Sequence, residues 1–305
     1  QVEGASLVHT VTLSNASASS PSFAYTLGGG SATGGGVDYT TPPTFSNGVT
    51  LVAGNLIVPA GVTSFTITVP TTLDTIDEGA SEAYNLSVGG VSTTGTITDD
   101  DLPPTITTVE PGSAGVGDDA VVEGTSLVYN VALSNASSVA TTFAFSLGGG
   151  SASASDFTNA PTFSNGVSLA GGIITVPAGV TSFSVSVPTI DDALVESGPN
   201  ETLPLTIGGL TGNGAIIDNE SAQTVTSVSA DTQVEGTSLV HTVTLSGASA
   251  VATTHSFSLS GVSATAGADF STTAVFSDGV TLAAGVLTVP AGVTSFTVSV
   301  PTPQD

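Results

Sequence analysis

The sequence predicts an all-β chain of tandem antiparallel β-sandwich domains, and three observations predict it. Apolar and polar residues alternate at period two in segment after segment, as in strands with one buried face. A segment of domain size recurs three times. No stretch carries the 3.6-residue apolar period and caps of a helix.

The repeat is read from matching phrases. Val2-Glu3-Gly4 returns as Val122-Glu123-Gly124 and Val234-Glu235-Gly236, offsets of 120 and 112 residues. The phrase Val58-Pro59-Ala60-Gly61-Val62-Thr63-Ser64-Phe65 returns as Val176 to Phe183 and as Val289 to Phe296. A period of this size is that of a domain with its own core rather than a short solenoid unit. The expected domains are 1–101, with its first strand missing, 102–220, complete, and 221–305, with its final strands missing. Most of the difference in period lies in a Gly- and Ser-rich insertion, Pro111 to Asp119, which reads as a loop.

Within the copies, each strand follows from its alternation. Leu7, His9, Val11 and Leu13 share one face, and Leu127, Tyr129, Val131 and Leu133 take the corresponding core face in the second copy. Further strands carry Phe23, Tyr25 and Leu27, then Phe65, Ile67 and Val69, then Tyr84, Leu86 and Val88. Gly28-Gly29-Gly30, Asn47-Gly48, Pro59-Ala60-Gly61 and Gly89-Gly90 separate them as turns. About seven short strands in a domain of this length indicate an immunoglobulin-like sandwich.

Composition narrows the function. The chain has no Lys or Arg against 25 acids, a net charge of −25, which excludes nucleic acid and anionic membrane surfaces as partners of this segment. Only 8% of residues are charged and mean hydropathy is +0.40, so the chain is expected to fold. There is no Cys, hence neither disulfides nor a thiolate metal site. No apolar run approaches the roughly 18 residues that span a bilayer. An enzyme is not expected: without Lys, Arg or Cys there is nothing to form a Schiff base or clamp an oxyanion except backbone amides. His9 and His241 occupy the position of Tyr129, and His255 that of Phe23 and Phe143, so all three read as buried, hydrogen-bonded residues.

The acids recur at fixed places. They are Glu3, Asp38, Asp74, Asp77, Glu78, Glu82, Asp99, Asp100 and Asp101 in copy one, and Glu123, Asp156, Asp191, Asp192, Glu196, Glu201, Asp218 and Glu220 in copy two. Copy three carries Glu235, Asp269 and Asp305. Nearly all lie in loops or at strand ends, which a sandwich gathers at its poles. Carboxylates converging without a basic partner need an external cation, and this many hard oxygen ligands suit Ca²⁺ better than Mg²⁺ or Zn²⁺.

With these residues in place the chain resembles the Calx-beta domain family. Its pattern is matched by Glu3-Gly4, Val37-Asp38-Tyr39, Pro59 to Val69, Asp74, Glu78, Glu82 and Ile97-Thr98-Asp99-Asp100-Asp101. Copy two matches through Glu123, Asp156-Phe157, Asp191-Asp192, Glu196, Glu201 and Ile217-Asp218-Asn219-Glu220. The resemblance implies that these acids, Asp77 apart, are Ca²⁺ ligands at the pole facing the next domain. Two departures put single positions in question: Leu73-Asp74 stands where copy two has Asp191-Asp192, and Asp-Asn-Glu replaces three aspartates.

Two non-catalytic functions then stand open. One is a calcium-stiffened tandem-repeat rod of an extracellular or cell-surface bacterial adhesin, with neighbouring repeats and other copies of the chain as partners. The other is a self-assembling fibre subunit that exchanges strands between chains. A metal-free spacer is the reading left if the acids hold no ion.

Overall fold

The computed structural model describes residues 1–79, 81–112, 119–196 and 200–304. Among these residues there is no helix, and every regular element is a strand. Asp305 lies outside the described residues, as do residues 113–118, most of the insertion expected to be a loop. No helix is long and apolar enough to cross a membrane.

The second repeat shows the architecture in full. One sheet runs Ile106–Pro111, Ser126–Leu133, Ser182–Pro188, Thr162–Phe163 in spatial order. The other runs Ala120–Val122, Leu210–Ile217, Glu201–Ile207, Thr141–Leu147, Ile173–Val176, Ser168–Ala170. Pairing is antiparallel except for Ala120–Val122, which runs parallel to Leu210–Ile217. Alternation sets which residues face inward, because a strand presents every second side chain to the same side. Leu127, Tyr129 and Val131 from the first sheet meet Ile174, Val176, Leu203, Leu205 and Ile207 from the second in one buried cluster. This is a sandwich of immunoglobulin-like type.

Repeat one keeps Ser6–Thr12, Ser64–Pro70 and Thr44–Phe45 in one sheet, and Thr50–Val52, Asn55–Ile57, Ser22–Gly28, Glu82–Val88 and Val91–Ile97 in the other. Repeat three has Val225–Val228, Leu239–Leu245, Ser295–Val300 and Val275–Phe276 against the smaller sheet Thr253–Ser256, Val286–Val289, Thr281–Ala283. Each repeat has a hydrophobic cluster drawn from its own residues. Tight turns join the strands. Gly89 and Gly90 both have positive φ, 58° and 86°, a conformation that side chains with a Cβ rarely adopt.

The histidines differ from expectation: all three are half-buried rather than buried. Their bonds are as expected in kind, His9 Nε2 lying 2.8 Å from Tyr84 Oη and His241 Nδ1 2.8 Å from the Ser229 carbonyl. His9 and His241 lie in repeats with fewer described strands than repeat two, where their counterpart Tyr129 is fully buried, while Phe143, the counterpart of His255, is half-buried as well.

Successive repeats meet through short parallel pairings. Ile76–Asp77 pairs with Ala136–Ser137, and Leu194–Val195 with Ala248–Ser249. At each junction a serine hydroxyl of the later repeat donates to a carbonyl of the earlier one, Ser137 to Asp77 at 2.9 Å and Ser249 to Val195 at 3.0 Å.

Candidate metal centre

Among the described residues, four carboxylate trios form at strand ends and loops. They are Glu3, Asp74 and Asp101; Asp38, Glu78 and Glu82; Glu123, Asp191 and Glu220; and Asp156, Glu196 and Glu201. In each, one oxygen from every member lies within 4.8 Å of the others. Two trios belong to each of the first two repeats. One residue of each trio, Glu3, Asp38, Glu123 or Asp156, is buried.

The scaffold for these side chains is a set of backbone bonds to other acids. Asp99 accepts through Oδ2 from the amides of Glu78 at 2.8 Å and Gly79 at 3.2 Å, and through Oδ1 from Asp101 at 2.9 Å. Asp218 repeats the arrangement, accepting from Glu196 and from Glu220, both at 2.8 Å. Asp74 and Asp192 cap their own turns, accepting from the amides of Ile76 at 2.8 Å and Leu194 at 2.6 Å. The loop aspartate of every repeat accepts from a nearby amide: Asp38 from Thr33, Asp156 from Ser153, and Asp269 from Thr265.

Electrostatics follow from the crowding. Glu78, Glu82, Glu196 and Glu201 are each pushed up to about 7, first by burial and then by neighbouring carboxylates including Asp38 or Asp156. Glu3 also rises to about 7, through burial, a hydrogen bond with Asp100 and the charges of Asp74 and Asp101. Glu220 reaches about 8 because it shares hydrogen bonds with Glu123 and Asp218. Asp218 shifts the other way: burial opposes its charge, but the amides of Glu196 and Glu220 hold it below its ordinary value.

Among the described residues, five buried carboxylate oxygens receive no hydrogen-bond donor when the acids are ionised: Glu3 Oε1, Glu82 Oε2, Asp101 Oδ2, Glu201 Oε2 and Glu220 Oε2. Every one belongs to a trio. An unsatisfied buried carboxylate oxygen is costly, and a divalent cation held by the trio around it removes that cost. The donor set is all oxygen, with no Cys in the chain, and fits a hard ion of high coordination number.

The placement of the expected ligands is uneven. Asp100 and Asp192 are exposed and outside the trios. Asp99 and Asp218 hold backbone amides beside them. Leu73 and Asp191 occupy equivalent space, against Gly4 and Gly124; with Leu73 at that place, Asp74 completes the trio with Glu3. Asn219, standing where repeat one has Asp100, donates to Asp191 Oδ1 at 3.0 Å. In repeat three Glu235 is exposed and Asp269 half-buried, and neither belongs to a trio among the described residues. Sequence reasoning passed over Asp77 as a site residue. Its buried carboxylate accepts from Ser137 Oγ at 2.8 Å across the junction, a contact that repetition conceals because Val195 is its counterpart.

No protein-family model and no curated protein matches the chain. Among solved structures, a three-domain immunoglobulin segment of titin aligns over 100% of this chain and 84% of its own at 10% identity, TM-score 0.28. Another titin segment aligns over 95% and 87% at 13% identity, TM-score 0.25. A serine-rich repeat protein from Streptococcus agalactiae aligns over 69% and 83% at 10% identity, TM-score 0.20.

Proposed function

We propose that the chain is a calcium-binding, tandem-repeat structural protein of the cell surface or extracellular space, of the Calx-beta kind, in which Ca²⁺ at acidic poles stiffens a rod of sandwich domains. The observation that carries this reading is the recurrence, in repeats one and two, of paired carboxylate trios with buried oxygens left unpaired. Glu3, Asp74 and Asp101, with Asp38, Glu78 and Glu82, would hold ions in the first repeat. Glu123, Asp191 and Glu220, with Asp156, Glu196 and Glu201, would do so in the second. A bound ion supplies positive charge there and releases the repulsion among its ligands.

Support for stiffening comes from position. Glu78 lies between Asp77, which is bonded to Ser137 of the next repeat, and Gly79, whose amide is held by Asp99. Ordering Glu78 therefore orders the junction. The same relation holds where Glu196 follows Val195. With a dissociation constant of about 0.1 mM and about 1 mM free Ca²⁺, each site contributes roughly 1.4 kcal/mol. Two sites in a domain of about 100 residues then raise its melting temperature by roughly 10–20 °C.

Calorimetric titration and melting in Ca²⁺ against excess EGTA test this, with X-ray scattering as the readout of stiffness. Saturable binding, an increase in melting temperature and a more extended, less flexible particle are expected with Ca²⁺. Identical melting and scattering in both conditions would reduce the chain to a metal-free spacer.

A further inference from the structure

Repeat three holds a polar cluster that the other repeats lack. Gln223, just before the strand Val225–Val228, is only 8% exposed. Its Nε2 donates to the carbonyls of Gly247 at 2.7 Å and Val293 at 3.1 Å, and its Oε1 accepts from the hydroxyl of Thr253. The two carbonyls fix which end of the carboxamide is nitrogen, since a carbonyl accepts only from a donor. His255 Nε2 completes the cluster, 3.2 Å from Thr253 Oγ1 and 3.5 Å from Gln223 Oε1.

The fold does not require these residues. Thr253 and Thr141 face Val289 and Val176, and His255 and Phe143 face Leu287 and Ile174, so these positions are equivalent. Gln223 and Pro104 are also equivalent, each preceding a threonine whose amide is held by a serine hydroxyl, and both are buried. Repeat two thus keeps the hydroxyl but has neither the carboxamide nor the imidazole. Repeat one has Pro21 and Phe23 in place of the threonine and histidine.

We propose that Thr253 and Gln223 become joined by an ester formed within the folded chain, with His255 as general base. A hydroxyl, a base within reach of it and an adjacent acyl carbon are the parts of nucleophilic acyl transfer, and the fold holds all three in place. The Thr253 hydroxyl has one proton and two acceptors for it, Gln223 Oε1 and the unprotonated His255 Nε2. Turned toward His255, it yields that proton while Oγ1 attacks Gln223 Cδ. The Oγ1–Cδ bond forms, the Cδ–Nε2 bond breaks, and the proton passes to the departing nitrogen, which leaves as ammonia. One hydroxyl and one carboxamide become one ester, with no oxidant, reductant or co-reactant. The carbonyls of Gly247 and Val293 stabilise the nitrogen as it gains the proton. Burial of Gln223 then shields the ester from water. The bond ties the two sheets of repeat three together beside Ala248–Ser249, the segment that pairs with repeat two. It would fix the chain entering from repeat two to the junction, and it does not depend on calcium.

The test uses the full chain, folded at neutral pH, then denatured and cleaved after glutamate, which separates residues 221–235 from those after Glu235. Mass spectrometry should find the two peptides as one species, lighter by one ammonia than the pair and split by hydroxylamine. Thr253→Val should release them as separate peptides, and Thr253→Ser should restore the joined species. In chains sampled from the time of synthesis, His255→Phe should slow joining by about 100-fold or more; repeat two folds with Phe143 at that place. Separate peptides from the unaltered chain overturn the proposal, as do joined peptides from Thr253→Val. An unchanged rate in His255→Phe overturns the role given to His255.

Discussion

The acidic poles of repeats one and two differ from that of repeat three in one respect that explains the others. All three repeats keep the loop aspartate, Asp38, Asp156 or Asp269, bonded to a backbone amide of its own loop. Among the described residues the first two add strand-end acids, Glu78, Glu82 and Asp101 in one and Glu196, Glu201 and Glu220 in the other, and the sequence of repeat three ends before the corresponding strands. The opening glutamate follows suit, buried as Glu3 and Glu123 but exposed as Glu235. The loop aspartate is thus part of how the sandwich folds, and one trio in each of the first two repeats includes it, joined by Glu78 and Glu82 or by Glu196 and Glu201.

The largest effect that would break this comparison comes from neutralising one trio member. Glu201→Gln should stabilise the metal-free chain by relieving repulsion with Asp156 and Glu196, and destabilise the Ca²⁺-loaded chain by about 1.4 kcal/mol for the lost site. Opposite shifts in melting temperature, in EGTA and in Ca²⁺, are the expected outcome; shifts of the same sign would deny that the trio is a cation site.

A smaller effect separates the repeats by pH. Glu3, Glu78, Glu82, Glu196 and Glu201 titrate near 7 in the folded state, above their ordinary value of 4.5. Their contribution to stability is full below about 4.5 and is lost as pH rises through about 7. Asp231 in repeat three has the reverse sign: the Val240 amide holds it below its ordinary value, so its contribution is lost on acidification. Hydrogen exchange in EGTA should show repeats one and two loosening between about pH 5 and pH 8 while repeat three does not.

The smallest effect sharpens the junction. Ser137→Ala removes the hydroxyl that Asp77 receives on both its carbonyl and its carboxylate, at a cost of about 1 kcal/mol. Ca²⁺ binding should persist while the gain in stiffness seen by scattering diminishes. Ser249→Ala, whose one bond across its junction is to the Val195 carbonyl, should do less.

Much of the sandwich was legible because strand periodicity is local. Leu127, Tyr129 and Val131 alternate in sequence and are buried together for that reason. The trios were legible only as a set of candidates. Asp99 and Glu78 look alike as acids near a strand end, yet Asp99 is consumed by three backbone amides while Glu78 joins a cluster. Which of them turns inward depends on loops distant in the chain. The junction role of Asp77 was not legible for a related reason, since its partner Ser137 is sixty residues away in another repeat.

By itself the sequence determined the all-β class, the threefold repetition and the excess of acids without bases, since alternation, recurrence and charge balance are properties of order and composition. Tertiary structure alone decided which carboxylates converge and which oxygens are left unpaired. Those outcomes turn on distances of a few ångströms between residues far apart in the chain, and folding sets such distances only when the two sheets close on each other.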